Sequence, residues 1–212
     1  MNILFENLKL NRLKKRGMNY LNNGKAEKAY HCFEKVILTE DSPENFFNLG
    51  LTLMGMFKYS DAQKYLQKVY DKIPENDINS LSLAECLLMM RKWEDAKDIL
   101  KKLRKRNPKL AGQYLEIAKD VVLREKFVRS RELFRESTLE LKNKNDLRAL
   151  DLLLDARVLN PENANILNNI GSIYMLLKDY EKAHQFFEQA VSLSGKIEKF
   201  QTNLLKAKHK LK

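Results

Sequence analysis

The chain has 212 residues, of which 44% are hydrophobic and 32% charged, so it can fold around a substantial core and is too apolar for a disordered protein. Lys and Arg number 39 against 28 Asp and Glu, a formal net charge of +11 that raises the question of an anionic partner. Only 7 Gly and 4 Pro are present, which argues against turn-rich all-β folds, and the phosphate-binding motifs GxGxxG and GxxxxGKS/T do not occur.

A period of 34 residues runs through the chain. Pro74 and Pro108 lie 34 residues apart, and each stands between two helical patterns. Small and large apolar residues recur in the same register, as in Gly50 and Ala84, Tyr59 and Trp93, Ala62 and Ala96, and Leu66 and Leu100. The pattern is repeated upstream by Leu13, Gly17, Tyr20, Ala29, Phe33 and Val36, and near the end by Leu167, Gly171, Tyr174, Tyr180, Ala183, Phe187 and Ala190.

This spacing has a physical reason. Small residues at two fixed points let two antiparallel helices approach closely, and large residues one turn away fill the space to the next pair, so the pairs must stack. The segments NFFNLGLTLMGMFKYSDAQKYLQKVYDKIP and ILNNIGSIYMLLKDYEKAHQFFEQAV carry the pattern nearly complete, and the chain resembles a tetratricopeptide repeat protein over nearly its whole length. The resemblance implies an all-α, right-handed solenoid of antiparallel helix pairs, in one domain over residues 1–212.

In chain order, the predicted elements are repeats at about 10–42, 43–76, 77–110 and 111–144, an out-of-phase helix within 145–163, a repeat at 164–195 and a capping helix at 196–212. The interval from 111 to 164 is 53 residues, one period plus 19. The surplus segment NDLRALDLLLDARVLNP has the pattern of a second helix. The first helix that should pair with this segment would be residues 130–143. In that role, Glu136 and Glu140 would lie at positions that the family keeps apolar. We therefore predict an unpaired helix at about 146–160, either a decayed repeat or a kink that widens the groove.

The residue types of catalytic and metal sites do not cluster in the sequence. His31, His184 and His209 lie far apart, without Cys or carboxylates at metal-ligand spacing. Cys32 and Cys86 lie in apolar helical runs without CxxC spacing, so we expect small buried groups in a reducing compartment. The start lacks the pattern of a secretory signal, and no stretch approaches 18 uncharged apolar residues. We expect a cytoplasmic protein with no enzyme activity, cofactor, metal or membrane span.

In this family the first helices line the concave face, where ligand peptides commonly lie. The resemblance implies a peptide-binding groove lined by Phe47, Asn48, Leu51, Met54, Ile78, Leu81, Glu85, Leu115, Lys119, Asn165, Asn168 and Asn169. Phe47, Leu51 and Leu81 are the preferred ligand contacts, whereas Leu88 and Met89 are also suited to packing between first helices. The predicted function is a non-enzymatic scaffold or adaptor that binds a peptide or helix of a partner protein, with a chaperone-like role as a narrower version.

One subset of the family clamps the C-terminal carboxylate of chaperone tails with five polar residues from three repeats. Lys14 and Asn48 match that set here. Met18 replaces an Asn, while Ile78 and Ser82 replace the Lys and Arg. Two matches in five do not make a carboxylate clamp.

The alternative function is binding of RNA or another polyanion through the basic ends and one basic run. Residues 91–109 hold nine Lys and Arg against three Asp and Glu, and the run itself comprises Lys101, Lys102, Arg104, Lys105 and Arg106. Cations at a helix C-terminus also complement the helix dipole, so the run has a structural cause. In the repeat frame these residues lie towards the outer face or the turn, and no nucleic-acid motif accompanies them. The second and last repeats are acidic, which favours the protein-binding groove.

Overall fold

A computed structural model describes residues 3–194 and 197–211, and within these ranges all regular elements are α-helices. The helices are α1 (Ile3–Asn22), α2 (Ala26–Ile37), α3 (Pro43–Gly55), α4 (Tyr59–Lys72), α5 (Asp77–Met89), α6 (Trp93–Arg106), α7 (Pro108–Lys119), α8 (Val121–Lys142), α9 (Asp146–Leu159), α10 (Ala164–Leu176), α11 (Tyr180–Ser194) and α12 (Glu198–Lys210). The predicted all-α helical-repeat class is confirmed. The chain divides into two compact units, residues 1–124 (unit 1) and 125–212 (unit 2).

Unit 1 contains three helix pairs, α1 with α2, α3 with α4, and α5 with α6. In two of these pairs, a glycine on the first helix faces a large buried residue on the second. A Cβ added to Gly50 would lie 2.7 Å from the Leu66 side chain, and one added to Gly17 would lie 2.8 Å from the Phe33 ring. Leu66 and Phe33 are fully buried. Each large side chain is therefore seated directly against the backbone of the partner helix.

The same turn joins the two helices of every pair in unit 1. Gly24, Phe57 and Arg91 have φ of 71°, 59° and 59°, in the left-handed region. In each turn the following N–H donates to a carbonyl five residues earlier, as from Lys58 to Leu53 at 2.9 Å. This arrangement is a Schellman motif, which satisfies the last carbonyls of a helix and reverses the chain. It therefore marks the junction between a first and a second helix.

The last helix of unit 1, α7, has the position of a first helix. It packs against α6 and also contacts α5, and the Tyr114 hydroxyl donates to Glu85 Oε1 at 2.6 Å. No Schellman turn follows it. Instead Asp120 is extended, with φ −96° and ψ 125°, and its Oδ1 accepts the Leu123 N–H at 2.8 Å, which caps the start of α8. Within unit 1, α7 is thus an unpaired helix stacked on three pairs.

In unit 2, α8 and α9 form a helix pair. The Ser130 hydroxyl donates to the Ala156 carbonyl at 3.0 Å in the buried interface between these helices. Leu133 of α8 belongs to the same buried cluster as Leu153 of α9. Lys144, between the two helices, has φ of 62°, and the next N–H completes the Schellman bond to the Glu140 carbonyl at 2.9 Å. The same type of turn joins the two helices within each pair of unit 1.

The pairing differs from the prediction in this region. A helix is present at Asp146–Leu159, as predicted, but it packs against α8 and is therefore not unpaired. The two carboxylates that argued against this pairing are not buried between the helices, and both have polar partners elsewhere. Glu136 is exposed and lies 3.3 Å from the Arg129 guanidinium, while Glu140 accepts a hydrogen bond from Asn145 in the turn. The small position that glycine fills in other first helices is taken here by Ser137, which is fully buried.

Unit 2 continues with the pair α10 and α11 and ends with α12. Gly171 repeats the close approach, since an added Cβ would lie 2.8 Å from the buried Phe187 ring. The single helix α12 packs on α11 and contacts α10, as α7 does on α6 and α5 in unit 1. Phe200 of α12 is buried against Leu167. Residue 195 of the last predicted repeat and residues 196 and 212 of the predicted capping segment lie outside the described residues.

Changing Gly50 to Ala should destabilise the protein by about 1–3 kcal/mol, because the new Cβ would overlap the fully buried Leu66. The measurement is the free energy of unfolding in urea. Gly112→Ala is the matched control, since an added Cβ there meets nothing within 4 Å and α7 gains about 1 kcal/mol of helix propensity. Equal effects at both sites would contradict the close-approach interpretation.

Replacing Lys144 by Gly should stabilise the protein by about 1 kcal/mol, because only glycine adopts a φ of 62° without steric cost. Urea unfolding again gives the comparison. The same change at Lys126, an exposed residue inside α8, should lower stability by about 1 kcal/mol. A loss of stability with Lys144→Gly would mean that α8 and α9 are not joined by a left-handed turn.

Candidate functional site

The first helices of unit 1 form a row of neighbours. Helix α1 contacts α3, α3 contacts α5, and α5 contacts α7. Each second helix lies between successive first helices in the chain and packs against both. The face of α1, α3, α5 and α7 that is turned away from the second helices is therefore the surface of unit 1 on which the predicted groove residues are to be sought.

Large apolar side chains on α3 and α5 are only partly covered. Phe47, Leu51 and Met54 of α3 are half-buried, and they recur at a spacing of three to four residues, which places them on one helix face. On α5, Leu81 is half-buried and Ile78 is 55% exposed, although it is a large apolar residue. We call these five residues the α3–α5 apolar face. Among the predicted groove residues of unit 1, they are the ones that offer apolar surface.

Other side chains on these first helices are buried or hydrogen-bonded to a neighbouring helix. Asn48 is only 7% exposed, and Leu88 is completely buried, so Leu88 packs between helices. Glu85 accepts the hydrogen bond from Tyr114 that ties α5 to α7. Met89 is half-buried. The side chains of Asn48 and Leu88 therefore contribute little or no surface to a ligand.

The residues expected of a carboxylate clamp have other partners. The Lys14 ammonium lies 2.7 Å from Glu40 Oε2, and this hydrogen bond holds the pKa of the Glu40 carboxyl below its ordinary value. Asn48 is buried, as described above. The two matching residues therefore do not present a free cation and amide side by side.

The three asparagines near the C-terminal end lie in unit 2, on α10. Asn165 is exposed, and Asn169 is half-buried. Asn168 is 1% exposed, and its Oδ1 accepts a hydrogen bond from Asn203 Nδ2 of α12 at 2.9 Å. Asn168 thus anchors the terminal helix, which corrects its prediction as a ligand contact. A buried amide needs such a partner because an unsatisfied polar atom in the core costs free energy.

The basic run lies beside two predicted groove residues. A cleft of about 710 Å³ between α6 and α7 is lined by Asp98, Lys101, Lys102, Arg104, Lys105, Leu115 and Lys119. We call it the α6–α7 cleft. Leu115 is 2% exposed and forms part of its wall. The sequence placed the run on the outer face or turn and the α7 residues in the groove, and the structure brings the two sets together.

Arg106 is separate from the other cations of the run. Its Nε donates to Asp77 Oδ1 at 3.1 Å, and its Nη2 donates to the Pro74 carbonyl at 3.0 Å. Both acceptors lie at the junction between α4 and α5. Arg106 therefore links successive pairs, a structural role.

The titratable groups do not form a metal-binding cluster in the part of the chain that the structure describes. No group of three or more His, Cys, Asp or Glu residues there could hold a metal ion. Both cysteines are buried and free, as predicted, and burial raises the pKa of the Cys86 thiol to about 12. Among the same residues, no helix is long and apolar enough to cross a membrane.

Stacked helix pairs with a common turn and a common small-against-large contact define a helical-repeat protein. Two segments of the chain, residues 53–116 and 164–196, match family models described as tetratricopeptide repeat. These segments of the chain are tetratricopeptide repeats, a class of repeat that acts as a scaffold for protein–protein interaction.

Similar solved structures have low sequence identity to the chain. MamA from Desulfovibrio magneticus RS-1, residue 41 to the end, is 16% identical, with 90% of this chain and 97% of that chain covered and a TM-score of 0.45. The TPR domain of P58(IPK) is 17% identical, with 95% of this chain and 65% of that chain covered and a TM-score of 0.49. A comparison with curated proteins gave no match.

The Cys86 thiol should resist alkylation by iodoacetamide in the native protein at pH 8, because its raised pKa of about 12 leaves almost no thiolate and its side chain is buried. Cys32, which is 7% exposed, should react first. Peptide mass spectrometry after timed labelling measures both rates. In urea the two cysteines should react at similar rates, and rapid native labelling of Cys86 would contradict its burial.

Proposed function

We propose that this protein is a non-enzymatic adaptor that holds an apolar peptide or helix of a partner protein on the α3–α5 apolar face. The observation that carries the proposal is the grouping of five large apolar side chains on two neighbouring first helices of unit 1. Ile78 is the most exposed of them, at 55%. Apolar side chains that stay half open to water gain free energy when a partner covers them, at about 25 cal/mol per Å².

The composition of the face supports a helix or extended peptide as ligand. Phe47 offers a rigid ring that can anchor a partner side chain, and Met54 offers a flexible thioether that adapts to its shape. Because Phe47, Leu51 and Met54 follow one side of α3, they suit anchors spaced along a single ligand segment. We also propose that the protein is cytoplasmic, because its two cysteines show no disulfide spacing. It acts by binding and not by catalysis.

A chaperone-like role is the narrower form of the proposal. The same apolar face would then accept apolar segments from several unfolded proteins, whereas an adaptor would retain one partner. The number of proteins whose recovery depends on the apolar face distinguishes these two forms.

Ile78→Asp should reduce recovery of the partner about tenfold or more, because it places a charge in the apolar face at a site exposed enough to leave the fold intact. Phe47→Ala combined with Leu81→Ala should have a similar effect by removing the anchors. The measurement is affinity purification followed by quantitative mass spectrometry, with helicity checked by circular dichroism.

Leu38→Asp is the matched control for this experiment. Leu38 is an 83% exposed apolar residue that follows α2 and lies outside both helices of the face. The control should recover the same proteins as the unmodified chain. Equal recovery by Ile78→Asp and Leu38→Asp would refute binding at the α3–α5 apolar face.

A further inference from the structure

We propose that the α6–α7 cleft is a second binding site and that it takes an acidic peptide segment of a partner protein. The site lies on the last second helix of unit 1 and on α7, and so does not depend on the α3–α5 apolar face. Five cations and one carboxylate line it. This balance of charge selects an anionic ligand.

Two of the cations are available to a ligand. Lys101 Nζ lies 3.2 Å from Asp98, and Arg104 lies 3.9 Å from Glu116, so these cations already have carboxylate neighbours. Lys102 and Lys105 are exposed, and in the described part of the chain the structure gives them no ion pair. They are three residues apart on α6 and therefore project from the same side of the helix.

The opposite wall of the cleft supplies Lys119, whose ammonium also has a carboxylate neighbour, and an apolar surface. Lys119 of α7 is 44% exposed at its side chain and lies 3.0 Å from Glu116. Leu115, one turn earlier on α7, is held in place by burial. The aliphatic stems of the lysines extend this apolar surface while their ammonium groups remain in water. A cleft of about 710 Å³ has room for a few ligand side chains, both carboxylates and an apolar one between them.

An acidic peptide fits this cleft better than a nucleic acid does. None of the described lining residues is aromatic, so the cleft has no ring on which a base could stack. Asp98 belongs to the lining, and Glu116 lies next to Arg104. These carboxylates repel a continuous phosphate backbone, whereas a peptide can place its separate carboxylates beside Lys102 and Lys105 and away from them.

The test is fluorescence anisotropy of the full chain with a fluorescein-labelled peptide of Glu-Asp-Leu repeats, and in parallel with a labelled oligouridylate of the same net charge. Lys102→Gln combined with Lys105→Gln should raise the Kd for the peptide about fivefold. Lys119→Gln, on the other wall, should raise it independently. The matched control is Lys9→Gln with Lys15→Gln, which removes two exposed lysines from α1 of the same unit. It should leave the Kd unchanged.

The outcomes separate the possible sites. Weaker peptide binding by both cleft variants, with the control and Ile78→Asp unaffected, supports the acidic-peptide site apart from the α3–α5 apolar face. Tighter binding of oligouridylate than of the peptide, lost in the cleft variants and steeply dependent on salt, would overturn it in favour of a nucleic-acid site. No binding of the peptide, or equal weakening by the control variant, would overturn it as well. Circular dichroism of each variant establishes that the compared proteins are folded.

Discussion

The close approach of two helices at one small residue determines how the pairs α1–α2, α3–α4 and α10–α11 are built. At Gly17, Gly50 and Gly171 the backbone of the first helix touches a large side chain of the second, with no room for a Cβ. This contact sets the separation of the two helices, and the separation in turn brings successive first helices into contact in unit 1. The α3–α5 apolar face exists because α3 and α5 are neighbours in that row.

Each unit ends in a single helix that stacks where the first helix of a further pair would lie. Helix α7 does this in unit 1 and α12 does it in unit 2. The last pair of a stack has an apolar face of its own, and a single helix that packs on that face buries it. One wall of the α6–α7 cleft is formed by such a single helix, α7.

The helix content and most pairings were predictable from the sequence, because the 34-residue period is strong in residues 43–110 and 164–194. The pairing of the helices between residues 111 and 163 was not predictable. There the family pattern places Glu136 and Glu140 at apolar positions, and ion pairing and turn contacts accommodate both carboxylates. Ser137, 34 residues before Gly171, was the signal that identifies α8 as a first helix.

The candidate sites were predictable to a smaller extent. The register of α3 and α5 identified which apolar residues share a face, since helical spacing alone decides that. Burial of Asn48 and Asn168 depends on neighbouring helices, as the bond from Asn203 to Asn168 shows. The α6–α7 cleft could not be predicted, because its lining depends on which side chains of α6 and α7 meet where the two helices pack.

The left-handed turns have a consequence for how the chain folds. At Phe57, Arg91, Lys144 and Lys178 the turn is made by residues that resist this conformation, each at a cost of about 1 kcal/mol. Such a turn does not persist by itself, so an isolated hairpin gains little from local preference. It forms when both helices dock, which couples reversal of the chain to burial of the core. Each pair should then fold and unfold as one cooperative step, with few half-formed hairpins exposed to aggregation.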